Sequence, residues 1–311
     1  MTHFAGTTTA NFGQNSPTGA FLPEIYSKNV LLQLRRGSVA DSITNSEYFG
    51  EISAFGDTVR IMAEPDITIK DYTRGLELTT DAVEDTDKTI TIDQAKYWQF
   101  SIDDIEDKMS HVGWEAIATN RAAYKLMQDY DVAILNFMSD SANVLAANVF
   151  NDKTEAAVLD LSTPDALLDH ITDMSVRLSL QDNVNEGRYL VLPYTATGVL
   201  SKVDSKLINM DYNGGAADLK SSPSYMGTLR GFDIYVTNNA PSYTSTGTGA
   251  TTRDVMLAGQ MSACSTAQTI LRTEVLRDNL TFGDKIRGQH VYGRGIIRPE
   301  ALSVAHVKFS A

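Results

Sequence analysis

Hydropathy between Asp57 and Asp103 alternates with a period of two, and its parity switches halfway along. From Val59 the odd positions are apolar: Val59, Ile61 and Ala63, then Ile67 and Ile69 beyond Pro65. Arg60, Glu64, Asp66, Thr68 and Lys70 fall between them. After a polar, acidic stretch from Thr79 to Lys88 the apolar set moves to even positions, Ile90, Ile92, Trp98, Phe100 and Ile102. Alternation of this kind puts one row of side chains on each face of a strand. It predicts two arms of about 14–16 residues, reaching about 45–50 Å at about 3.3 Å per residue, where a typical strand has about 5–6 residues. Two readings remain open: two strands of an ordinary sheet, or a projecting ribbon that packs on a neighbouring subunit. A two-stranded ribbon of that length is marginal alone in water, and Pro65 suits an edge.

A long helix follows. Asp103, Asp104, Glu106 and Asp107 crowd its approach, where negative charge favours a helix N-terminus. Trp114, Ile117, Ala118, Ala122, Leu126, Tyr130, Ala133, Ile134, Phe137 and Met138 then recur at spacings of three and four, and no Gly or Pro interrupts 114–147. About 30 helical residues make a rod of about 45 Å, whose apolar stripe needs something large to lie along.

The remainder reads as mixed α/β. Thr163-Pro164-Asp165 opens a helix with an apolar face of Leu167, Leu168, Ile171, Met174 and Leu178. Tyr189 to Leu192 reads as a buried strand ahead of Pro193, and Gly198 to Ile208 as a short helix. Phe232 to Val236 alternates, Ser242 to Thr252 is a Ser/Thr/Gly loop, and Asp254 to Leu257 leads into a core strand. Residues 266–282 are ambiguous between strand and helix, and Leu302 to Phe309 is a closing strand. At the other end, residues 1–20 are too polar to offset their own ordering entropy. Pro23 to Gly37 carries the punctuation of a short helix.

The residue inventory narrows function by exclusion. A net charge of −13 over 311 residues counts against a whole-surface nucleic-acid binder, because phosphate binding needs clustered Lys and Arg. One cysteine, Cys264, excludes a disulfide framework and multi-thiolate metal sites, fits a reducing cytoplasm, and is expected to be a buried structural thiol. The start has no signal-peptide character, and no run of about 18 apolar residues suggests a membrane span.

His3, His111, His170, His290 and His306 are scattered without metal-ligand spacing, and His170 is expected to be a partly exposed polar position. Gly283, Gly288, Gly293 and Gly295 near Lys285, Arg287 and Arg294 could cradle a phosphate, but turn or bulge glycines fit better without a strand–loop–helix context. Asp81, Glu84, Asp85 and Asp87 fit a solvated hairpin tip better than a cation loop. No catalytic residue, cofactor or metal site is expected.

The order of these segments resembles the Hong Kong 97-type major capsid proteins of tailed bacteriophages. Pro23 to Gly37 is similar to the end of that family's arm, Asp57 to Ile102 to its extended loop, and Trp114 to Ala147 to its spine helix. Gly231-Phe232-Asp233-Ile234-Tyr235-Val236-Thr237-Asn238-Asn239-Ala240-Pro241 and the run from Phe282-Gly283-Asp284 through Val291-Tyr292-Gly293-Arg294-Gly295 to Arg298-Pro299-Glu300-Ala301-Leu302 resemble its later segments.

The resemblance implies an α+β capsid fold divided into an N-terminal arm and short helix (1–45), an extended β-hairpin loop with flanking strands (46–110), a spine helix and peripheral domain (111–160), an axial domain (161–285) and a return to the peripheral domain (286–311). It implies self-assembly into an icosahedral shell of hexamers and pentamers around double-stranded DNA, located in the virion after assembly in the bacterial host cytoplasm. Scaffolding, portal and decoration proteins are candidate partners, with the scaffold a separate chain because no long scaffolding-like N-terminal region is present. Packaged DNA would be contacted weakly, and no membrane is implied. An encapsulin-type shell with enzyme cargo or another phage structural protein is the alternative, and an enzyme with an unrecognised site is a third reading. Contacts between subunits are expected at Arg35, Arg36, Arg60, Ile61, Ile67, Ile69, Lys70, Arg74, Lys88 and Trp98, the basic residues either meeting acidic neighbours or forming a solvated ribbon face.

Overall fold

A computed structural model describes residues 38–47, 58–62, 67, 69–72, 74–75, 77, 80, 87–105, 114–152, 158–181, 186–201, 225–244, 252–279 and 281–309. The expected helix before Gly37 and most of the acidic stretch 79–88 lie outside these residues. In chain order the described elements are α1 (Ala40–Ile43), β1 (Thr58–Met62), β2 (Asp87–Thr91), β3 (Gln94–Asp103) and α2 (Trp114–Met138). Next come β4 (Val149–Phe150), β5 (Leu159–Asp160), α3 (Pro164–Leu180), β6 (Arg188–Leu192) and α4 (Tyr194–Leu200). Strands β7 (Tyr225–Leu229), β8 (Phe232–Val236), β9 (Ser242–Thr244), β10 (Thr252–Gln260), β11 (Cys264–Arg277), β12 (Gly283–Ile296) and β13 (Leu302–Lys308) complete the set.

The main body is an eight-stranded mixed sheet in the order β4-β13-β10-β6-β8-β7, with β5 and β9 added beside β13 and β10. Period-two alternation sends its side chains into two cores. Tyr189 and Val191 of β6, Val255 and Leu257 of β10, and Leu302 and Val304 of β13 pack with α1 and with Tyr130, Ile134, Leu135 and Met138 of α2. Leu190, Leu192, Met256, Ala258, Ala305 and Val307 point the other way, into a core with Leu167, Leu168, Ile171, Met174 and Leu178 of α3 and with α4. A sheet covered on both faces needs strands apolar on both, and β6 is buried along its whole length. Arg188 belongs to that buried run because its guanidinium donates to Ser175 O, Ser175 Oγ and Ser179 Oγ of α3. Burying each large aliphatic side chain contributes about 1.5–3 kcal/mol.

The second body is a three-stranded antiparallel sheet, β11-β12-β3, with the β1–β2 hairpin as a separate two-stranded sheet against it. The two-arm ribbon expectation needs correcting here. Only Asp87–Thr91 of the second arm pairs with β1, from Thr58↔Thr91 to Met62↔Asp87. After Ile92 and Asp93 the chain changes partner, and Gln94–Asp103 pairs with Tyr292–Gly283 of β12. Most of the second arm is therefore a strand of an ordinary sheet within its own chain.

The glycines of β12 explain how this fits. They are neither turns nor a phosphate cradle. A Cβ at Gly293 would lie 2.6 Å from Thr91 O, and one at Gly288 would lie 2.6 Å from the Trp98 indole nitrogen. Bare backbone lets the kinked β2–β3 segment lie down on β12.

Three other expectations are corrected. The rod stops at Met138, giving 25 residues and about 37 Å. Beyond it Asn143 Nδ2 donates to Phe137 O, Ser139 Oγ to Asn136 O, and Asp140 accepts from Ala142 N, so local side-chain bonds replace the helical ladder. The short helix begins at Tyr194, directly after Pro193, and 202–208 lie outside the described residues. His170 is buried at 6% exposure, edge-on to Phe150, and burial pushes its pKa down to about 4.

Candidate functional site

No constellation of catalytic side chains gathers among the described residues, and no group of three His, Cys, Asp or Glu there could hold a metal. Burial pushes the Cys264 thiol up to about 12, so it stays protonated and unreactive at neutral pH. Among the described residues no helix is long and apolar enough to cross a membrane. The features with chemical potential are surfaces.

The expected contact residues divide into two groups. Ile61 is half-buried, packing on Ile92, Ala267 and Val291 at the hairpin base. Trp98 is half-buried, stacked on Phe100 at 5.4 Å and lying over Gly288. Both are already engaged by their own chain. The others face water: Arg60 opposite Thr89 on β1, Lys88 opposite Ile61 on β2, and Lys70 and Arg74 further out, the latter in a turn with Gly75. Ile67 and Ile69 are 71% and 95% exposed, and Tyr72 beside them is 72% exposed. Arg35 and Arg36 lie outside the described residues.

A second exposed apolar group, not found from the sequence, sits at the far end of the three-stranded sheet. Ile105, Val275, Leu276 and Phe282 are all exposed there. Arg277 binds both Asp104 and Asp284 between them, and these bonds hold its guanidinium even more firmly protonated than usual. Lys285 and Arg287 pair with Asp278 and Glu274, so these cations are spent within the sheet. Arg294 donates to Ala133 O and covers the Phe137 ring.

Asp131 is the other residue that sequence reasoning missed. It is fully buried on α2. Its Oδ1 accepts from Ser38 Oγ at 3.0 Å, Val39 N at 2.8 Å and Ala40 N at 2.7 Å, and its Oδ2 accepts from Asn239 Nδ2 at 2.7 Å. It thereby caps α1 from another element, in the role an N-cap side chain would play. An acidic residue directly after Tyr130 of the apolar helical stripe was the available signal.

Fold and surface together describe a subunit with a closed α/β body and an appended sheet that carries exposed apolar residues, the features of a self-associating protein. A family model described as phage capsid protein matches residues 84–305, and the chain belongs to that family. Its fold is shared by solved structures over nearly its whole length. A structure from Mycobacterium phage Che8 is 28% identical with a TM-score of 0.76, covering 94% of this chain and 99% of that one. The capsid of Cyanophage P-SCSP1u is 17% identical with a TM-score of 0.73, covering 98% and 100%. The mature capsid of bacteriophage PhiM1 is 20% identical with a TM-score of 0.65, covering 96% and 95%. Comparison with curated proteins finds no match. The chain is a major capsid protein, a shell-forming structural component of the virion that associates with copies of itself.

Proposed function

We propose that copies of this chain tile as hexamers and pentamers into an icosahedral shell around phage double-stranded DNA, with the 58–91 hairpin laid on a neighbouring copy. The supporting observation is the exposure of Ile67, Ile69 and Tyr72 beyond a hairpin whose base is already packed on its own chain. Large apolar side chains gathered in water mark a surface that another molecule covers. In this reading the parts follow the Hong Kong 97 plan: arm to residue 45, extended loop over 46–110, spine helix and peripheral domain over 111–160, axial domain over 161–285, and a peripheral return over 286–311. Rings of identical copies use heterologous contacts that close by rotation, so a loop on one copy meets a different surface on the next. The net charge of −13 keeps the lining's grip on DNA weak. Scaffolding, portal and decoration proteins are its candidate partners, and assembly takes place in the host cytoplasm.

Electron microscopy of the purified product, expressed with any scaffold it needs, tests this reading. Closed shells with five- and six-fold rings are the expected result. A monodisperse monomer under all conditions overturns it.

A further inference from the structure

Strand β11 lies at the edge of its sheet, with β12 on one side. Segment 38–45 covers the start of the other side. Asn45 forms a parallel bridge with Ser265, donating to Cys264 O at 2.9 Å and accepting from Thr266 N at 3.0 Å, and Gln268 Nε2 donates to Asp41 Oδ1 at 3.1 Å. From Thr269 to Arg277 no described residue adds a strand to that side. Val275 and Leu276 point to opposite faces, as neighbours in a strand do, and they are 59% and 41% exposed. Both faces of the edge are therefore open there. A strand edge in water presents backbone N–H and C=O groups that template a further strand. Proteins blunt such edges with Pro, Lys or a bulge. β11 contains neither Pro nor Lys. Its one register shift, between Ile270 and Arg272, is followed by unbroken pairing with β12 as far as Arg277.

The sequence along this edge has the same character in both directions. Around Thr273 stand Arg272 and Glu274, then Leu271 and Val275, then Ile270 and Leu276. Laid antiparallel on a second copy with Thr273 at the centre, the strand sets each Arg272 opposite a Glu274. Each Leu271 then meets a Val275, and each Ile270 a Leu276. Opposite charges and paired aliphatic residues are the contacts that stabilise neighbouring strands. Other registers lose them. Centring on Leu271 sets Arg272 against Ile270 and Glu274 against Gln268, and centring on Val275 sets Glu274 against Leu276. Charge and hydropathy thus select one alignment. Within its own chain Glu274 is steadied by Arg287, whose Nε and Nη2 both donate to Oε2.

We propose that β11 pairs antiparallel with β11 of a second copy across a twofold axis, joining two three-stranded sheets into one of six strands. Such a contact is isologous, unlike the heterologous contacts that close a ring. It rests on the shell reading only for its place, which is between neighbouring rings.

Thiol pairing in the full chain, assembled with any scaffold it needs, tests the contact. Native Cys264 is buried and leaves the background low. In Thr273→Cys the two introduced thiols face each other with Cα atoms about 4.5–5.5 Å apart, a separation that a disulfide spans. Mild oxidation is expected to convert most of the protein to a covalent dimer on a non-reducing gel. Gln289 is exposed one strand further in. Gln289→Cys would lie about 14 Å from its counterpart, at about 4.8 Å per strand, and is expected to remain uncross-linked. Adding Arg272→Glu to the Thr273→Cys chain sets like charges opposite each other and is expected to slow dimer formation about tenfold. Absence of dimer in Thr273→Cys, equal dimer in Gln289→Cys, or an unchanged rate with Arg272→Glu overturns the proposal. Shells without cross-linked dimers sink this contact and leave the shell reading standing, whereas dimers without shells do the reverse.

Discussion

Every residue of β6 is buried, and no residue of β3 is. The two strands belong to sheets that handle burial in opposite ways. The eight-stranded sheet is sandwiched between helices, and its alternating side chains fill two cores. The three-stranded sheet has the hairpin base over part of one face and carries Tyr97, Val275, Leu276 and Phe282 in water. The first is complete as a single molecule. The second leaves apolar surface uncovered, and its effective stability depends on what binds it, by mass action. A shell protein gains from the division: the closed sheet keeps free subunits folded, and the open one makes folded subunits more stable together than apart.

Substitutions can break or sharpen that contrast. The largest effect is expected in the closed body. Phe232→Ala, at a fully buried ring, is expected to lower unfolding stability by about 3–5 kcal/mol in denaturant titrations. A loss below about 1 kcal/mol would show that the body is not closed.

Acid is expected to act on the same core through His170. Its folded pKa of about 4 lies below the unfolded value of 6.5, so the stability it supports is fully present above about pH 6.5 and is lost as pH falls to about 4. The total is about 3 kcal/mol. Urea titrations at several pH values should show this slope reduced in His170→Gln.

At the boundary between the regions, Gly293→Val forces a side chain into Thr91 O and is expected to cost about 1–3 kcal/mol in thermal melts, through displacement of the hairpin base. The smallest effect belongs to the open region. Ile69→Ser is expected to change the stability of the free chain by less than about 0.5 kcal/mol while reducing shell yield by light scattering. If it destabilises the chain and spares the shells, the roles assigned to the regions are reversed.

The same contrast governs how much could be read from the sequence. Faces were legible wherever periodicity was clean: Trp98, Phe100 and Ile102 are half-buried while Gln99 and Ser101 are exposed, and α3, β6, β8 and β13 lie where their patterns put them. Partners were not legible. Alternation says which side of β3 is apolar, but nothing local distinguishes pairing with 58–70 from pairing with β12, nearly 200 residues away. The purpose of Gly288 and Gly293 appears only with Trp98 and Thr91 above them. His170 looked polar because composition cannot show that Phe150 shelters it, and the helix end at Met138 depends on side-chain bonds from residues that are individually acceptable in a helix. Of the candidate site, Ile67 and Ile69 were legible as an apolar row continuing beyond Pro65, while their exposure appears only in the structure. The far tip with Phe282 was not, because it lies in the stretch that read equally well as helix or strand.

The place of β13 in the strand order has a further consequence. It lies between β4 and β10, yet it is the last described strand to leave the ribosome. A nascent or prematurely terminated chain therefore has a gap in the interior of its main sheet rather than at an edge. Leu302, Val304, Ala305 and Val307, which contribute to both cores, arrive together with that strand. Docking of β13 is thus the step that closes both cores at once, and a polypeptide stopped short of it lacks an interior strand of the rigid body.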